Sequence, residues 1–160
     1  MNFLYNLQNV KKNFFNKESF FYLLLIVIIF CSDRLSKAKI LKDFSENTFF
    51  VNDFINFDLI WNIGIGFGLL SSSSYLFYNL VSTLIGLVIL ILIYIFLTAN
   101  KSEKFIYSLI IGGALGNFYD RLVYKAVPDF IDLHYNNFHW FTFNVADIFI
   151  TVGILVFILR

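Results

Sequence analysis

Four apolar stretches, separated by polar segments, outline the chain. The first runs unbroken over residues 20–31 and leads into Ser32, Asp33, Arg34, Leu35, Ser36 and Lys37. Twelve residues fall short of the roughly 20 that cross a bilayer as a helix. The helix is therefore expected over about 20–38, with charge at its far end. The second stretch, 75–98, holds no charged residue, and Gly86 is its only glycine. The third, about 105–121, ends in Asn117, Phe118, Tyr119, Asp120 and Arg121. The fourth, about 141–159, has only Asn144 and Asp147 as strongly polar residues. As a helix from Phe141, it would carry Asp147 roughly 9 Å inside.

Two longer loops remain, about 39–74 and 122–140. Residues 49–60 partly alternate apolar and polar, which suggests short strands. Gly64, Gly66 and Gly68 favour a turn or a close backbone approach over a helix, and the serines at 71–74 mark the next helix start. Residues 100–104 make a short connector, so the second and third helices are expected to be antiparallel neighbours. Residues 1–19, with Lys11, Lys12, Lys17 and Glu18, form a polar or interfacial segment. No small-residue cleavage site follows the first apolar run, which therefore reads as an uncleaved anchor.

Composition agrees with this outline. The 160 residues are 59% hydrophobic and 14% charged, with mean hydropathy +0.74. A soluble domain is about half apolar and a quarter charged, so this is an integral membrane protein of a single domain, 1–160. Net charge +1 offers no basic field for nucleic acid. The single cysteine, Cys31, excludes an internal disulfide and a multi-cysteine metal site, and reads as a packing residue. Four spans put six basic residues on each side: Lys11, Lys12, Lys17, Lys101, Lys104 and Arg160 against Arg34, Lys37, Lys39, Lys42, Arg121 and Lys125. The positive-inside bias is thus silent, unless Arg34, Lys37 and Arg121 are neutralised by carboxylates, which would leave the N-terminus cytoplasmic.

The polar residues of the helices collect at one end. Asn144, Asp147 and Thr151 share a face, as do Gly113, Asn117 and Asp120. Asp33 and Lys37 stand at i, i+4. Gly112 and Gly116 form a small-xxx-small pair that admits a close neighbouring helix. So Asp33, Lys37, Asn62, Asn117, Asp120, Arg121, Asp129 and Asp147 can converge near one membrane surface. His134 and His139 fall in a loop, and no zinc-type ligand spacing is present, so no metal or cofactor is expected. Carboxylates remain. Two of them close together in a low dielectric share one proton, giving an acid and a base that can activate water against an amide. Three readings stay open on these residues: such a hydrolase, a proton-coupled small membrane carrier titrating Asp147 and Asp120, or a structural subunit whose carboxylates merely pair with Arg34, Lys37 and Arg121.

Five motifs stand in order: Asp33-x-x-x-Lys37; Asn62-x-Gly64-x-x-Phe67; Gly113-x-x-Gly116-Asn117-x-x-Asp120-Arg121; Val127-x-Asp129-Phe130-Ile131; and Phe143-Asn144-x-Ala146-Asp147. Together they resemble the signal peptidase II family, the lipoprotein signal peptidases, from the first span to the last. The resemblance implies an all-α membrane protein of four transmembrane helices with a small extracytoplasmic β-cradle and a half-helix. It also implies a bacterial enzyme of the inner (cytoplasmic) membrane with its active site on the extracytoplasmic side. The implied activity is that of an aspartic endopeptidase that removes the signal peptide of prolipoproteins just before a diacylglyceryl-modified cysteine. Asp129 and Asp147 match its catalytic pair. Asn62, Gly64, Asn117, Arg121 and Asn144 match residues lining the site, Asp33 and Lys37 match the pair at the end of the first helix, all seven are thereby implied as substrate-binding residues, and Asp120 matches a structural acid. Globomycin-type peptides are implied as inhibitors, membrane lipid as surroundings and a monomer as the working form. Two departures are visible: Ile65-Gly66 stands where small residues are usual, and Pro128 precedes Asp129, where it should rigidify the backbone. Trp61, Phe67, Phe138, His139 and Trp140 suit an interface, as anchors or as cover for acyl chains.

Overall fold

The computed structural model describes residues 17–44, 47–64, 75–136 and 138–160. The elements run α1 (Lys17–Asp43), β1 (Phe49–Asn52), β2 (Ile55–Asn62), α2 (Tyr75–Thr98), α3 (Lys101–Tyr124), β3 (Val127–Tyr135), β4 (Phe138–Phe143) and α4 (Val145–Leu159). The strands form one antiparallel sheet in the order β1-β2-β3-β4. The glycine- and serine-rich segment 65–74, with Gly66, Phe67 and Gly68, lies outside the described residues, as do residues 1–16. The half-helix has no counterpart among the described residues.

The uncharged stretch becomes α2 with the expected bounds. The other three helices differ, each for a local reason. α1 runs on to Asp43 because its charged residues are satisfied inside the protein. α3 begins at Lys101, where the connector was expected, because Asn100 caps it. The Asn100 side chain accepts from the Glu103 N–H at 3.0 Å, and the Asn100 N–H donates to Glu103 Oε2 at 3.2 Å. At its other end Lys125 takes the left-handed conformation, φ 58, and closes the helix. The loop expected over 122–140 is instead largely the β3–β4 hairpin, which also carries His134 and His139. α4 starts at Val145, because 141–143 belong to β4. Phe-Thr-Phe suits a strand as well as a helix, and Asn144 decides where the helix begins.

α3 is the central helix, packed on α1, α2 and α4. Tyr22 and Ile26 of α1, Phe96 of α2 and Ile111 of α3 form a small buried core. Gly112, Gly113 and Gly116 set how close the helices come. A Cβ on Gly112 would lie 2.8 Å from Ile29 Cβ, one on Gly113 2.5 Å from the Ala146 carbonyl oxygen, and one on Gly116 would collide with the Asp33 carboxylate. Gly116→Ala should therefore cost on the order of 1–3 kcal/mol, while Gly86→Ala, facing only the Phe118 ring, should cost less. Thermal unfolding of the two variants in detergent checks this difference.

The helices leave many apolar side chains outside, among them Leu24, Val27, Ile28, Leu84, Leu87, Val88, Leu90 and Ile91. Cys31 is exposed too, so it faces outward and does not serve the core as its setting suggested. α1 and α2 are long and apolar enough to cross a membrane, and α4 is a shorter apolar helix of 15 residues. The two ends of the bundle differ. At one end Lys104 donates to Ser19 at 2.8 Å and Arg160 pairs with Glu103 at 3.0 Å. The sheet and almost all buried charges lie at the other.

Candidate active site

Two carboxylates from different elements meet through one asparagine. Asp129 comes from β3, where Val127, Pro128 and Phe130 beside it are buried. Pro128 sits in the strand opposite Trp61, so the restricted backbone before Asp129 is part of the ladder. Asp147 is the third residue of α4 and lies at the helix mouth, not the 9 Å inside expected of a helix starting at Phe141. Asn144 caps that helix. Its side chain accepts from the Asp147 N–H at 3.1 Å, its N–H donates to Asp147 Oδ2 at 3.1 Å, and its Nδ2 donates to Asp129 Oδ1 at 2.5 Å. A single residue thus starts the helix and joins both acids.

The other donors complete the ring. Asn62, at the end of β2, donates to Asp129 Oδ2 at 2.9 Å and accepts from the Gly64 N–H at 2.8 Å. Asn117 of α3 donates to Asp147 Oδ1 at 2.8 Å. Arg121 is buried and binds carbonyls: its Nη1 donates to Asn117 O at 3.1 Å and its Nη2 to Gly64 O at 2.8 Å. It holds the Gly64 turn against α3, while Tyr78 donates to the Arg121 carbonyl at 3.0 Å.

The remaining charges neutralise one another behind the pair. Lys37 contacts Asp33 at 2.8 Å and Asp120 at 2.7 Å, and Arg34 reaches Asp120 at 2.5 Å and Asp33 at 3.4 Å. Two cations and two anions balance. Asp33 also accepts from the Ala146 N–H at 3.0 Å, which pins the mouth of α4 to α1. Asp33 and Lys37, matched to substrate contacts in the sequence, are enclosed at 0% and 1% exposure. Asp120 is paired, as its structural match implied. Arg34, which the sequence offers as a partner for carboxylates and not as a site residue, pairs with two of them.

Among the described residues, then, Asp129 and Asp147 form no ion pair and are held by amides alone. Burial, and next the charge of Asp147, push the Asp129 carboxyl up to about 6, against hydrogen bonds from Asn62 and Asn144 and the more distant charge of Lys37. Folding raises this value, so the folded chain holds the proton more tightly than the unfolded one. The resulting stability is complete below 3.8 and is lost as pH rises through about 6. The thermal midpoint should fall across that window, by on the order of 2–3 kcal/mol of stability, and Asp129→Asn should flatten the fall.

An open apolar cleft of about 250 Å³ reaches Asp147 from the side, lined by Phe141, Phe143, Asp147, Ile148, Thr151 and Val152. His139 pairs with Asp132 at 2.7 Å. Asp132 is three residues along β3 from Asp129 and so points to the other face of the sheet. No cluster of His, Cys, Asp and Glu among the described residues is arranged to hold a metal ion. The arrangement can supply one acid and one base beside an apolar cleft.

Known proteins share this chain's sequence and fold. The family profile described as Signal peptidase (SPase) II matches residues 25–160. The lipoprotein signal peptidase of Pelagibacter ubique (strain HTCC1062) is 48% identical over 146 residues, covering 89% of this chain and 88% of the relative. That of Francisella tularensis subsp. novicida (strain U112) is 36% identical over 143 residues, covering 86% and 88%. Two bacterial membrane enzymes solved by the in meso method superpose with TM-scores of 0.72 and 0.70, at 30% and 29% identity, each over 86% of this chain and over 85% and 90% of their own. A match over most of the length, joined to a fold shared with membrane enzymes, makes this chain a member of the signal peptidase II family.

Proposed function

We propose that this chain removes the signal peptide from prolipoproteins, cutting just before the diacylglyceryl-modified cysteine, with Asp129 and Asp147 as its catalytic pair. Membership in the family makes it an aspartic peptidase. The observation that carries the residue assignment is the segregation of charge. Arg34 and Lys37 are taken up by Asp33 and Asp120, and among the described residues only amides hydrogen-bond Asp129 and Asp147. A purely structural role for the pair would have placed the cations on it.

In the reaction one carboxylate takes a proton from water as the oxygen attacks the scissile carbonyl carbon. The other, protonated, gives its proton to the carbonyl oxygen. Collapse of the tetrahedral gem-diol breaks the C–N bond as the proton taken from water goes to the leaving amine nitrogen and one hydroxyl returns its proton to the ionised carboxylate, which restores the pair. Asn62, Asn117 and Asn144 keep the two acids in register, and Arg121 fixes the turn at Gly64. The cleft at Asp147 suits an apolar partner, such as a signal segment or an acyl chain that reaches the pair from the lipid.

Residues 1–160 form one membrane-embedded peptidase domain in this reading. α1, α2, α3 and α4 each span the inner membrane, and the sheet rests on its outer surface. α3 carries its charges at its two ends, and at 24 residues is long enough to span. The orientation is carried over from the family resemblance, because the basic residues do not decide it: Arg34 and Lys37 are paired and Arg121 is buried at the sheet end, while Arg160 is paired and Lys104 buried at the other. Exposed Trp61, Phe138 and Trp140 would lie among headgroups. The enzyme works as a monomer, with membrane lipid around it, and globomycin-type peptides would occupy its cleft. A carrier is not supported: the curated relatives are peptidases, and α2 offers no charged residue along the membrane depth.

The test is a gel-shift assay on a diacylglyceryl-cysteine precursor, with and without a globomycin-type peptide. A shift that the peptide abolishes is expected. No cleavage of the lipid-modified precursor by the folded protein would overturn the proposal.

A further inference from the structure

Three asparagines hold the carboxylate pair, and each is itself oriented from the side away from it. Asn62 accepts from the Gly64 N–H at 2.8 Å, and Asn144 from the Asp147 N–H at 3.1 Å. Both donors are backbone groups. Asn117 differs. Its Oδ1 accepts from Lys37 Nζ at 2.8 Å, so a side chain of another helix decides which way this amide faces.

An ammonium has three N–H donors and no acceptor. Those of Lys37 go to Asp33 Oδ2 at 2.8 Å, Asp120 Oδ2 at 2.7 Å and Asn117 Oδ1 at 2.8 Å. None is left for a substrate. Were the Asn117 amide turned over, its NH2 would face the ammonium, donor against donor, in a buried site. The amide is therefore locked with Nδ2 aimed at Asp147 Oδ1, 2.8 Å away.

We infer that Lys37 is a positioning residue for the reaction, acting through Asn117 to keep Asp147 as the ionised base of the pair. This rests on the peptidase reading above. Asp147 Oδ2 accepts the Asn144 N–H, so both its oxygens take N–H donors. It also lies in the first turn of α4, where the exposed backbone N–H groups favour an anion. Asp129 has two amide donors as well, but both are side-chain amides, and it stands on a strand and not within the first turn of a helix. Asp129 is then the proton holder and the acid. Lys37 acts in the chemistry without touching the substrate, and Asp33 and Asp120 keep its ammonium in place.

The test uses full-length enzyme in detergent with a diacylglyceryl-cysteine precursor, and reads kcat, KM and the pH profile of kcat/KM. Lys37→Met is made together with Asp120→Asn, which removes one charge of each sign and leaves Arg34 paired with Asp33. Asn117→Ala removes the link and leaves the four charges whole. For both we expect KM within about twofold and kcat lower by about tenfold or more. The acid limb should move up by about one pH unit, the size of a lost hydrogen bond to a carboxylate. Combining the changes should move the limb no further, because they act on one chain of contacts. Should the methionine pair fail to fold, Lys37→Leu with Asp120→Asn, which also leaves no donor for Asn117 Oδ1, is expected to show the same upward shift. An acid limb that stays at the wild-type pH in the folded variants, or shifts that simply add, would overturn the role of Lys37. Asp129→Asn and Asp147→Asn are run beside them. Full turnover by either would sink the peptidase reading itself, a different result from an unmoved limb.

Discussion

Asp129→Asn and Asp147→Asn should each slow signal-peptide removal by about 10³–10⁴-fold, the usual worth of a positioned acid or base. Asparagine keeps the shape of the side chain and removes the titrating group. The fold should survive. Asn at 147 can still accept the Asn144 N–H through its amide oxygen, and at 129 the cost of one NH2 meeting an asparagine donor is offset by the loss of a buried carboxyl whose ionisation is unfavourable. The double variant should be no slower than the worse single, since an acid without its base has little to add. Rates from the gel-shift assay, with circular dichroism and thermal melts as the check on folding, give the answer. Additive losses would mean that the two acids work separately.

Asp33→Ala should give the largest loss of stability, about 3–5 kcal/mol. It leaves Arg34 and Lys37 sharing only Asp120 in an enclosed site, and takes the acceptor from the Ala146 N–H at the mouth of α4. Lys37→Met in the same chain should restore part of the loss by removing the extra cation. Cys31→Ala, two residues earlier but exposed, should change stability by no more than about 0.5 kcal/mol. Thermal unfolding in one detergent compares all three. A small effect of Asp33→Ala would mean that the four-charge cluster is solvated and does not hold α1 to α4.

These two results depend on features that the sequence reveals unequally. The apolar run of α2 gives its bounds directly, because nothing polar interrupts it. The glycines of α3 announce a close approach, and Gly116 does lie against Asp33. Asp33 and Lys37 are four apart on one helix, so their pairing is visible in the spacing. Their meeting with Asp120, 83 residues beyond Lys37, is not. Five ordered motifs point to Asp129 and Asp147, yet the depth of Asp147 is misjudged when the aromatic run 141–143 is read as helix. The strand-forming habit of that run and the cap at Asn144 point the same way, and the pairing of β4 with β3 fixes the outcome. The same pairing turns the loop expected around His134 and His139 into a hairpin. The lateral cleft joins residues of β4 and α4, and no linear pattern marks such a junction.

In the proposed mechanism Asp129 and Asp147 act as one acid and one base sharing a single proton. The pH dependence of single-turnover cleavage of a lipid-modified precursor, measured across the acid and alkaline range at saturating enzyme, tests it most directly. A bell is expected whose alkaline limb falls as pH rises through about 6, where the Asp129 carboxyl loses its proton, and whose acid limb marks protonation of the second carboxylate. A rate that stays flat, or that rises through pH 6 with only one limb, would contradict it.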